Sequence, residues 1–350
     1  MKNAIMSSPA KNDGQSRRNV KMSFVINLPE NAKANIIDAY GEAAAEWLAN
    51  LPSLIDDLAA KWSLDLEPHA KGNYSFVIPC GEHVLKLLPP GEAFDRELTA
   101  MLAWNGKSAA KIANHDPRGA MLIERLRPGT ELTALYHDGR DEEATAIACS
   151  LMPKLAIPLP NSTTQIPLPS LGGVRGGLAT PHTSDDQQRA PKRHIPTAAD
   201  RAAELNSLRN RFNGETGPFP TKLVDAAESL FRDLLVSQGT PKLIHADLHH
   251  ENILQSGRGW LAIDPHGLIA EPEFETYAWL NNPIGLSKNP ELNAICRRRL
   301  DQIADLTGFD RERIRGWGVA CAVLSAWWSF DDHGSKSDAD LIVAEGLLKA

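Results

Sequence analysis

The chain has few cysteines: Cys80, Cys149, Cys296 and Cys321 are scattered, and no C-x-x-C pair occurs. That scarcity excludes a dense disulfide framework and a cysteine zinc site, and it fits a reducing cytoplasm. No run approaches the roughly 18 apolar residues a membrane span requires, and the polar stretch through Lys21 holds no apolar segment of signal-peptide length. Basic residues are in deficit, 37 Lys and Arg against 44 Asp and Glu, a formal charge of −7. General nucleic-acid affinity needs clustered Lys and Arg to replace phosphate counterions, so neither a nucleic-acid nor a membrane partner is expected. An acidic surface instead tolerates a cationic ligand. What remains, 350 residues with 42% apolar and 23% charged content, suits a globular protein with one large or two medium cores.

Residues 1–23 read as a disordered tail. Between 31 and 62, apolar residues recur at helical spacing (Ile36, Ile37, Tyr40, Ala44, Trp47, Leu48, then Leu54, Ile55, Leu58, Trp62), and Pro52 suggests two short helices divided there. β-rich pieces at 63–66, 73–79 and 83–88 predict three strands in a meander. Residues 92–104 have a helical pattern and 120–123 form a short apolar strand. Beyond the Pro128-Gly129 break the pattern is almost wholly helical, as at Leu223, Ala227, Leu230, Phe231, Leu234 and Leu235. The expected fold is α+β and bilobal: a small β-rich lobe over 24–123, a hinge over 124–129 and a larger helical lobe over 130–350.

Residues 157–195 break that pattern. They hold Gly172-Gly173-Val174-Arg175-Gly176-Gly177, many prolines, and Ile-Pro-Leu-Pro twice. Such a composition cannot bury enough surface to offset its ordering entropy, so the segment reads as a disordered insertion in the larger lobe. Its glycines lack the Lys-Ser/Thr ending of a phosphate loop and follow no strand.

The chemistry concentrates later. His245-Ala246-Asp247-Leu248-His249-His250-Glu251-Asn252 is followed twelve residues on by Asp264-Pro265-His266-Gly267. An Asp with an Asn five residues later, then a second Asp, repeats the order of a kinase catalytic loop and its metal-holding carboxylate. Phosphoryl transfer needs positioning and charge neutralisation more than covalent help. Asp247 can orient or deprotonate an attacking hydroxyl, while Asn252 and Asp264 offer hard oxygen ligands to Mg²⁺. Upstream, Lys86 on the predicted third strand stands where a lysine meets nucleotide phosphates, and Glu97 on the following helix is its natural ion-pair partner. Lys71-Gly72-Asn73-Tyr74-Ser75-Phe76 should form a turn between the first two strands, placing Asn73, Tyr74 and Ser75 over the phosphates. Residues 124–126 offer backbone groups of Glu124 and Leu126 to adenine.

On these motifs, with Glu271-Pro272-Glu273-Phe274-Glu275 and Trp279 trailing them, the chain resembles the aminoglycoside phosphotransferase family, of the streptomycin 6-kinase and hydroxyurea kinase type. The likeness runs from about Phe24 to the C-terminus, the insertion excepted. It implies a protein-kinase-like fold, ATP with Mg²⁺, and γ-phosphate transfer to a hydroxyl of a small molecule. By position it implies Asp247 as catalytic residue, Asn252 and Asp264 as metal ligands, and Lys86 with Glu97 as the phosphate-anchoring pair. The acceptor it implies is cationic and hydroxyl-rich, streptomycin first, with hydroxyurea or another metabolite as alternatives. Glu271 and Glu273 are the carboxylates expected to meet that acceptor, with Trp327-Trp328-Ser329-Phe330 as aromatic company.

Other classes stay open. A metal-dependent hydrolase would use His245, His249 and His250, but no helical His-x-x-x-His pair supports them. A catalytically silent nucleotide-binding regulator would keep the fold yet usually lose one of Asp247, Asn252, Asp264 or Lys86, all of which are present. A protein kinase is disfavoured because Asp264-Pro265 replaces Asp-Phe and no Ala-Pro-Glu follows. The oligomeric state is not legible.

Overall fold

The computed structural model describes residues 27–159 and 195–350; the expected tail over 1–23 and nearly all of the expected insertion over 157–195 lie outside the described residues. Two helices open the chain, α1 (Glu30–Tyr40) and α2 (Glu42–Trp62). The break falls at Gly41, with φ 70°, and not at Pro52, which is carried inside α2. A helical proline costs about 3 kcal/mol. Leu51, Leu54, Ile55 and Leu58 are all buried along the same helix, at about 1.5–3 kcal/mol each. Burial of that face therefore outweighs the missing hydrogen bond.

Four antiparallel strands follow, β1 (Phe76–Cys80), β2 (His83–Leu87), β3 (Ile112–Asp116) and β4 (Ala120–Glu124), in the order β1-β2-β4-β3. The expected strand at 63–66 is not one. That stretch is held to the end of β1 by one backbone bond, Glu67 N–H to Pro79 O at 2.8 Å, and Pro68 has no N–H to give. Side chains of β2 alternate between two layers. Leu85 and Leu87 enter a core with α1 and α2, while Val84, Lys86 and Leu88 face α3 (Glu92–Trp104) on the opposite side.

After β4 the chain enters the larger lobe: β5 (Pro128–Glu131), α4 (Thr133–His137), α5 (Asp141–Leu155), α6 (Ala198–Arg211), α7 (Thr221–Val236), β6 (Lys242–Ile244), β7 (Ile253–Ser256), β8 (Gly259–Ala262), β9 (Leu268–Ala270), α8 (Thr276–Asn281), α9 (Leu292–Thr307), α10 (Arg311–His333) and α11 (Asp338–Lys349). It is not almost wholly helical. Five strands of three or four residues form a β5-β7-β8 sheet and a β6-β9 pair, each too short to print a period of two on the sequence. The result is a bilobal, protein-kinase-like α+β fold, a small sheet-containing lobe over a larger helical one. One core runs through both lobes, joining Phe94, Leu98, Met101 and Trp104 of α3 to Cys149, Met152 and Leu155 of α5, and the indole N–H of Trp104 donates to Leu155 O at 2.8 Å.

The described flanks of the 160–194 segment sit on the two outer edges of the β6-β9 pair. Ile157 exchanges backbone bonds with Leu243 of β6 at 3.1 and 3.0 Å, and Ile269 of β9 donates to Pro196 O at 2.8 Å. Three inter-strand steps of about 4.8 Å separate the flanks, so they lie about 15 Å apart.

Under the larger lobe lies a fully buried arginine, Arg299 of α9. Its Nε and Nη2 reach Asp141 at 3.0 and 2.6 Å, and Nη1 donates to Trp279 O and Asn282 O at 3.0 and 2.6 Å. Burial disfavours the Asp141 charge, but the His250 ring 3.8 Å away, the hydrogen bonds of Arg299 and the charges of Arg299 and Arg298 hold its pKa below the usual carboxylate range. Removing Arg299 would leave buried Asp141 to the half-exposed Arg298 and take the donor from Trp279 O and Asn282 O. Arg299→Met is expected to lower stability by about 3–5 kcal/mol in urea denaturation; a loss below about 1 kcal/mol would show that the pair is not a support of the fold.

Candidate active site

The β6-β9 pair brings together two loops distant in sequence, 245–249 after β6 and 263–267 after β8. Gly267 N–H donates to His245 O at 3.1 Å, and Ile263 N–H to Asn252 O at 3.0 Å. Each loop contains a non-glycine residue in the left-handed region, Ala246 at φ 62° and Asp264 at φ 56°. Such conformations cost about 1–3 kcal/mol each and persist only where the surroundings enforce them. The enforcement is visible. Buried Glu275 accepts the backbone N–H of His245 at 2.7 Å and of Ala246 at 3.0 Å, and the Tyr277 hydroxyl donates to Ala246 O at 2.6 Å. Burial pushes the Glu275 carboxyl up to about 8 despite those donors.

On this braced loop Asp247 faces solvent in part. Asn252 Nδ2 donates to Asp247 Oδ2 at 3.0 Å and to Asp247 O at 2.9 Å, which engages the amide nitrogen and leaves Asn252 Oδ1 as the free ligand atom. Burial works against the Asp247 charge, but His266 and His249, with ring nitrogens 3.7 and 3.6 Å from Oδ2, outweigh it and lower its pKa. It is a carboxylate at neutral pH. Lys86, 4% exposed, bridges Glu97 Oε1 and Asp264 Oδ1, both at 2.7 Å. Burial opposes its charge too, yet Asp264 and Glu97 hold its pKa above the usual lysine value, while burial pushes Glu97 up to about 7. Glu97 shares the apolar face of α3 with Phe94, Leu98, Met101 and Trp104, and the helix comes close because residue 267 is glycine: a Cβ there would sit 3.1 Å from Arg96 O.

The turn carrying Asn73, Tyr74 and Ser75 precedes β1 and does not join the first two strands; a Lys71–Val77 bridge closes it. It depends on Gly72, where a Cβ would lie 1.7 Å from Ser75 O. Asn73 Oδ1 is bonded to Asn35 of α1, and Tyr74 is exposed. At the lobe crossing, Glu124 turns its carboxylate to Lys111 N–H and Arg258, and its own N–H donates to Lys111 O. The backbone of Leu126 makes no such bond among the described residues, so it is the group of the two still open to a ligand.

Glu271 does not face an acceptor. It is 1% exposed, and its oxygens take Trp317 Nε1 at 2.6 Å, Arg313 Nε at 2.9 Å and Gly239 N–H at 2.8 Å, tying α10 to the segment before β6. Glu273 is half-buried, with its carboxyl pushed up by burial, and does not line the cavity at Asp247. That cavity, about 400 Å³, is walled instead by Asp247, His266, Tyr277, Asn281, Trp328 and Asp340 among others. Trp328 was among the expected aromatics, while Trp327 is core. Sequence reasoning missed Tyr277 and Asp340, and it read Glu275 within the acidic run 271–275 toward the acceptor, whereas its carboxylate holds the backbone of His245 and Ala246.

The histidines act as neutral braces. His245 Nε2 bonds Ile263 O at 2.8 Å, its ring stacks on Trp104, and burial pushes its pKa down to about 4. His250 stacks on Trp279 at 3.7 Å, and burial pushes it down to about 3 although Asp141 lies 3.8 Å away. Among the described residues no group of three or more His, Cys, Asp or Glu could hold a metal by itself. The oxygens of Asn252 and half-exposed Asp264 suit a hard ion such as Mg²⁺, which would take its other ligands from phosphates and water.

A family model described as aminoglycoside/hydroxyurea antibiotic resistance kinase matches residues 77–334. The chain is 27% identical to a streptomycin 6-kinase of Streptomyces glaucescens over 93% of its length and 98% of that protein's. It is also 27% identical to a hydroxyurea phosphotransferase of Kitasatospora aureofaciens, over 94% and 88%. A crystal structure of a thermostable aminoglycoside phosphotransferase APH(4)-Ia mutant, a ternary complex with ADP and hygromycin B, superposes with a TM-score of 0.51 at 14% identity, covering 84% of this chain and 98% of that one.

The depressed pKa of His250 has a measurable sign. Between about 6.5 and 3 the folded state binds fewer protons than the unfolded one, so this contribution is complete above pH 6.5 and is lost as pH falls. The stability advantage of wild type over His250→Phe is therefore expected to shrink by about 2 kcal/mol between pH 7 and pH 5, at about 1.4 kcal/mol per unit below 6.5. Denaturation curves at both pH values check this, and a difference that grows with acidification would contradict a neutral buried imidazole.

Proposed function

The chain belongs to the aminoglycoside/hydroxyurea antibiotic resistance kinase family, and from that premise we propose that it transfers the γ-phosphate of ATP to a hydroxyl of a cationic aminoglycoside-type compound, streptomycin at its 6-position first. The observation that carries this reading is the ionised Asp247 at the wall of a cavity, with Asn252 bonded to it and Asp264, paired with Lys86 of β2, on the loop zipped to its own. Asp247 accepts a hydrogen bond from the acceptor hydroxyl, aligns it and takes its proton as the bond to phosphorus forms. Lys86 neutralises phosphate charge while Glu97 holds its ammonium in place. Asn252 and Asp264 would hold Mg²⁺, which when bound would supply charge neutralisation at the phosphate oxygens. Leu126 offers its backbone to the adenine, and the turn at Asn73, Tyr74 and Ser75 covers the phosphates.

Modification of an antibiotic in this way would confer resistance on the host. The proposed compartment is the cytoplasm, where ATP is available; all four cysteines are free thiols, and among the described residues no helix is long and apolar enough to cross a membrane. Neutral hydroxyurea is the competing acceptor. It would leave the carboxylates of the cavity without a charge partner.

ADP release by purified protein with ATP, Mg²⁺ and streptomycin, hygromycin B or hydroxyurea tests the reading. Turnover with streptomycin is expected, and release with none of the three would sink it. Asp247→Ala should lower turnover by about two to four orders of magnitude with nearly unchanged nucleotide affinity. Comparable turnover in that variant would remove Asp247 from the chemistry.

A further inference from the structure

The cavity beside Asp247 has a second carboxylate, Asp340, on α11. Among the described residues neither lysine nor arginine lines this cavity, and Arg201, which stacks on its Trp328 wall at 5.1 Å, is paired with Glu204. Asp340 accepts Ser325 Oγ–H at 2.8 Å through Oδ2, and among the described residues no basic side chain pairs with it. Burial pushes its carboxyl above the ordinary value, and the two serine contacts only partly offset this. A second observation lies on a different helix that lines the same cavity. Asn281 of α8 lines the cavity, and its Oδ1 is buried without a hydrogen-bond partner. Buried acceptors are ordinarily satisfied, so this one asks for a donor.

Resting on the kinase reading for the role of Asp247, we propose that Asp340, with the Asn281 amide on the same cavity, forms the specificity site for the acceptor, receiving the N–H donors of a guanidinium or ammonium group while a hydroxyl of the same molecule lies at Asp247. A cavity wall with a carboxylate and an amide, and with no lining lysine or arginine among the described residues, selects a cationic, donor-rich ligand over an anionic one. The carboxylates expected from the sequence, Glu271 and Glu273, are replaced in this role by a residue 69 positions beyond the first of them.

Asp340 also stands at the start of α11, where a purely structural role is the competing explanation. Its backbone N–H, not its side chain, donates to Ser337 Oγ to cap the helix, at 3.3 Å. An asparagine at this position keeps the cap, the shape and an oxygen for Ser325, and loses only the charge.

The test uses full-length protein and two readouts. In steady-state assays Asp340→Asn should raise the streptomycin KM by about 10- to 100-fold, as loss of a hydrogen bond to a charged group does, with the ATP KM and the hydroxyurea KM within about two-fold of wild type. Asp340→Glu should recover part of the streptomycin affinity. Calorimetric titration of streptomycin into wild type, Asp340→Asn and Asn281→Ala reads binding without turnover. Weaker binding by both variants, with unchanged melting temperature, supports the site even if no ADP is released, an outcome that would overturn the kinase reading alone. Streptomycin binding within two-fold of wild type in both variants, or equal losses for streptomycin and hydroxyurea, would overturn the site while leaving the kinase reading in place.

Discussion

One buried cation joins the two lobes. Lys86 lies on the second strand of the small sheet, Glu97 on the helix behind it, and Asp264 on a loop of the larger lobe, and a single ammonium touches both carboxylates at 2.7 Å. Burying such a group is costly, and a paired buried charge is weak evidence for stability. What it secures is geometry, since the sheet, α3 and the 263–267 loop must all be in place before the ammonium is satisfied. The same triad sets two carboxylates against one ammonium, and burial, with a smaller contribution from Asp264, raises the Glu97 pKa. A site left short of positive charge is suited to a divalent ion.

The two loops that meet there are held against their own preferences. Ala246 and Asp264 occupy left-handed conformations, and the restraint comes from beneath, through Glu275 and Tyr277 on one side and the His245 bond to Ile263 on the other. Deeper still, Arg299, Asp141, His250 and Trp279 form a second buried polar cluster under the turn that ends in Asn252. Strain at the reacting groups is thus balanced by polar contacts made well away from them, none of which is needed for the chemistry itself.

The acceptor side follows a different rule. Its wall is assembled from α8, α10 and α11, elements separated by up to some sixty residues, and its character lies in what those helices do not contribute: among the described residues no lysine or arginine lines the cavity. The carboxylates nearest the catalytic motifs in sequence, Glu271 and Glu275, are consumed by backbone donors, Arg313 and Trp317.

Local order along the chain determined the nucleotide side of this protein. Asp247, Asn252 and Asp264 stand at a spacing that the β7-β8 hairpin converts directly into proximity, and Lys86 and Glu97 sit one on a strand and one on the helix after it, so their meeting needs only that short unit to fold. Tertiary structure alone decided the rest. The helix break moved from Pro52 to Gly41 because burial of one face of α2 outweighs a missing hydrogen bond. Strands of three residues exist only because a distant partner supplies their hydrogen bonds, and Glu271 became structural while Asp340 reached the cavity. A carboxylate in a sequence carries no mark of whether it will meet solvent, a ligand or a buried arginine; that depends on which remote surface packs against it, and desolvation then sets what it can do.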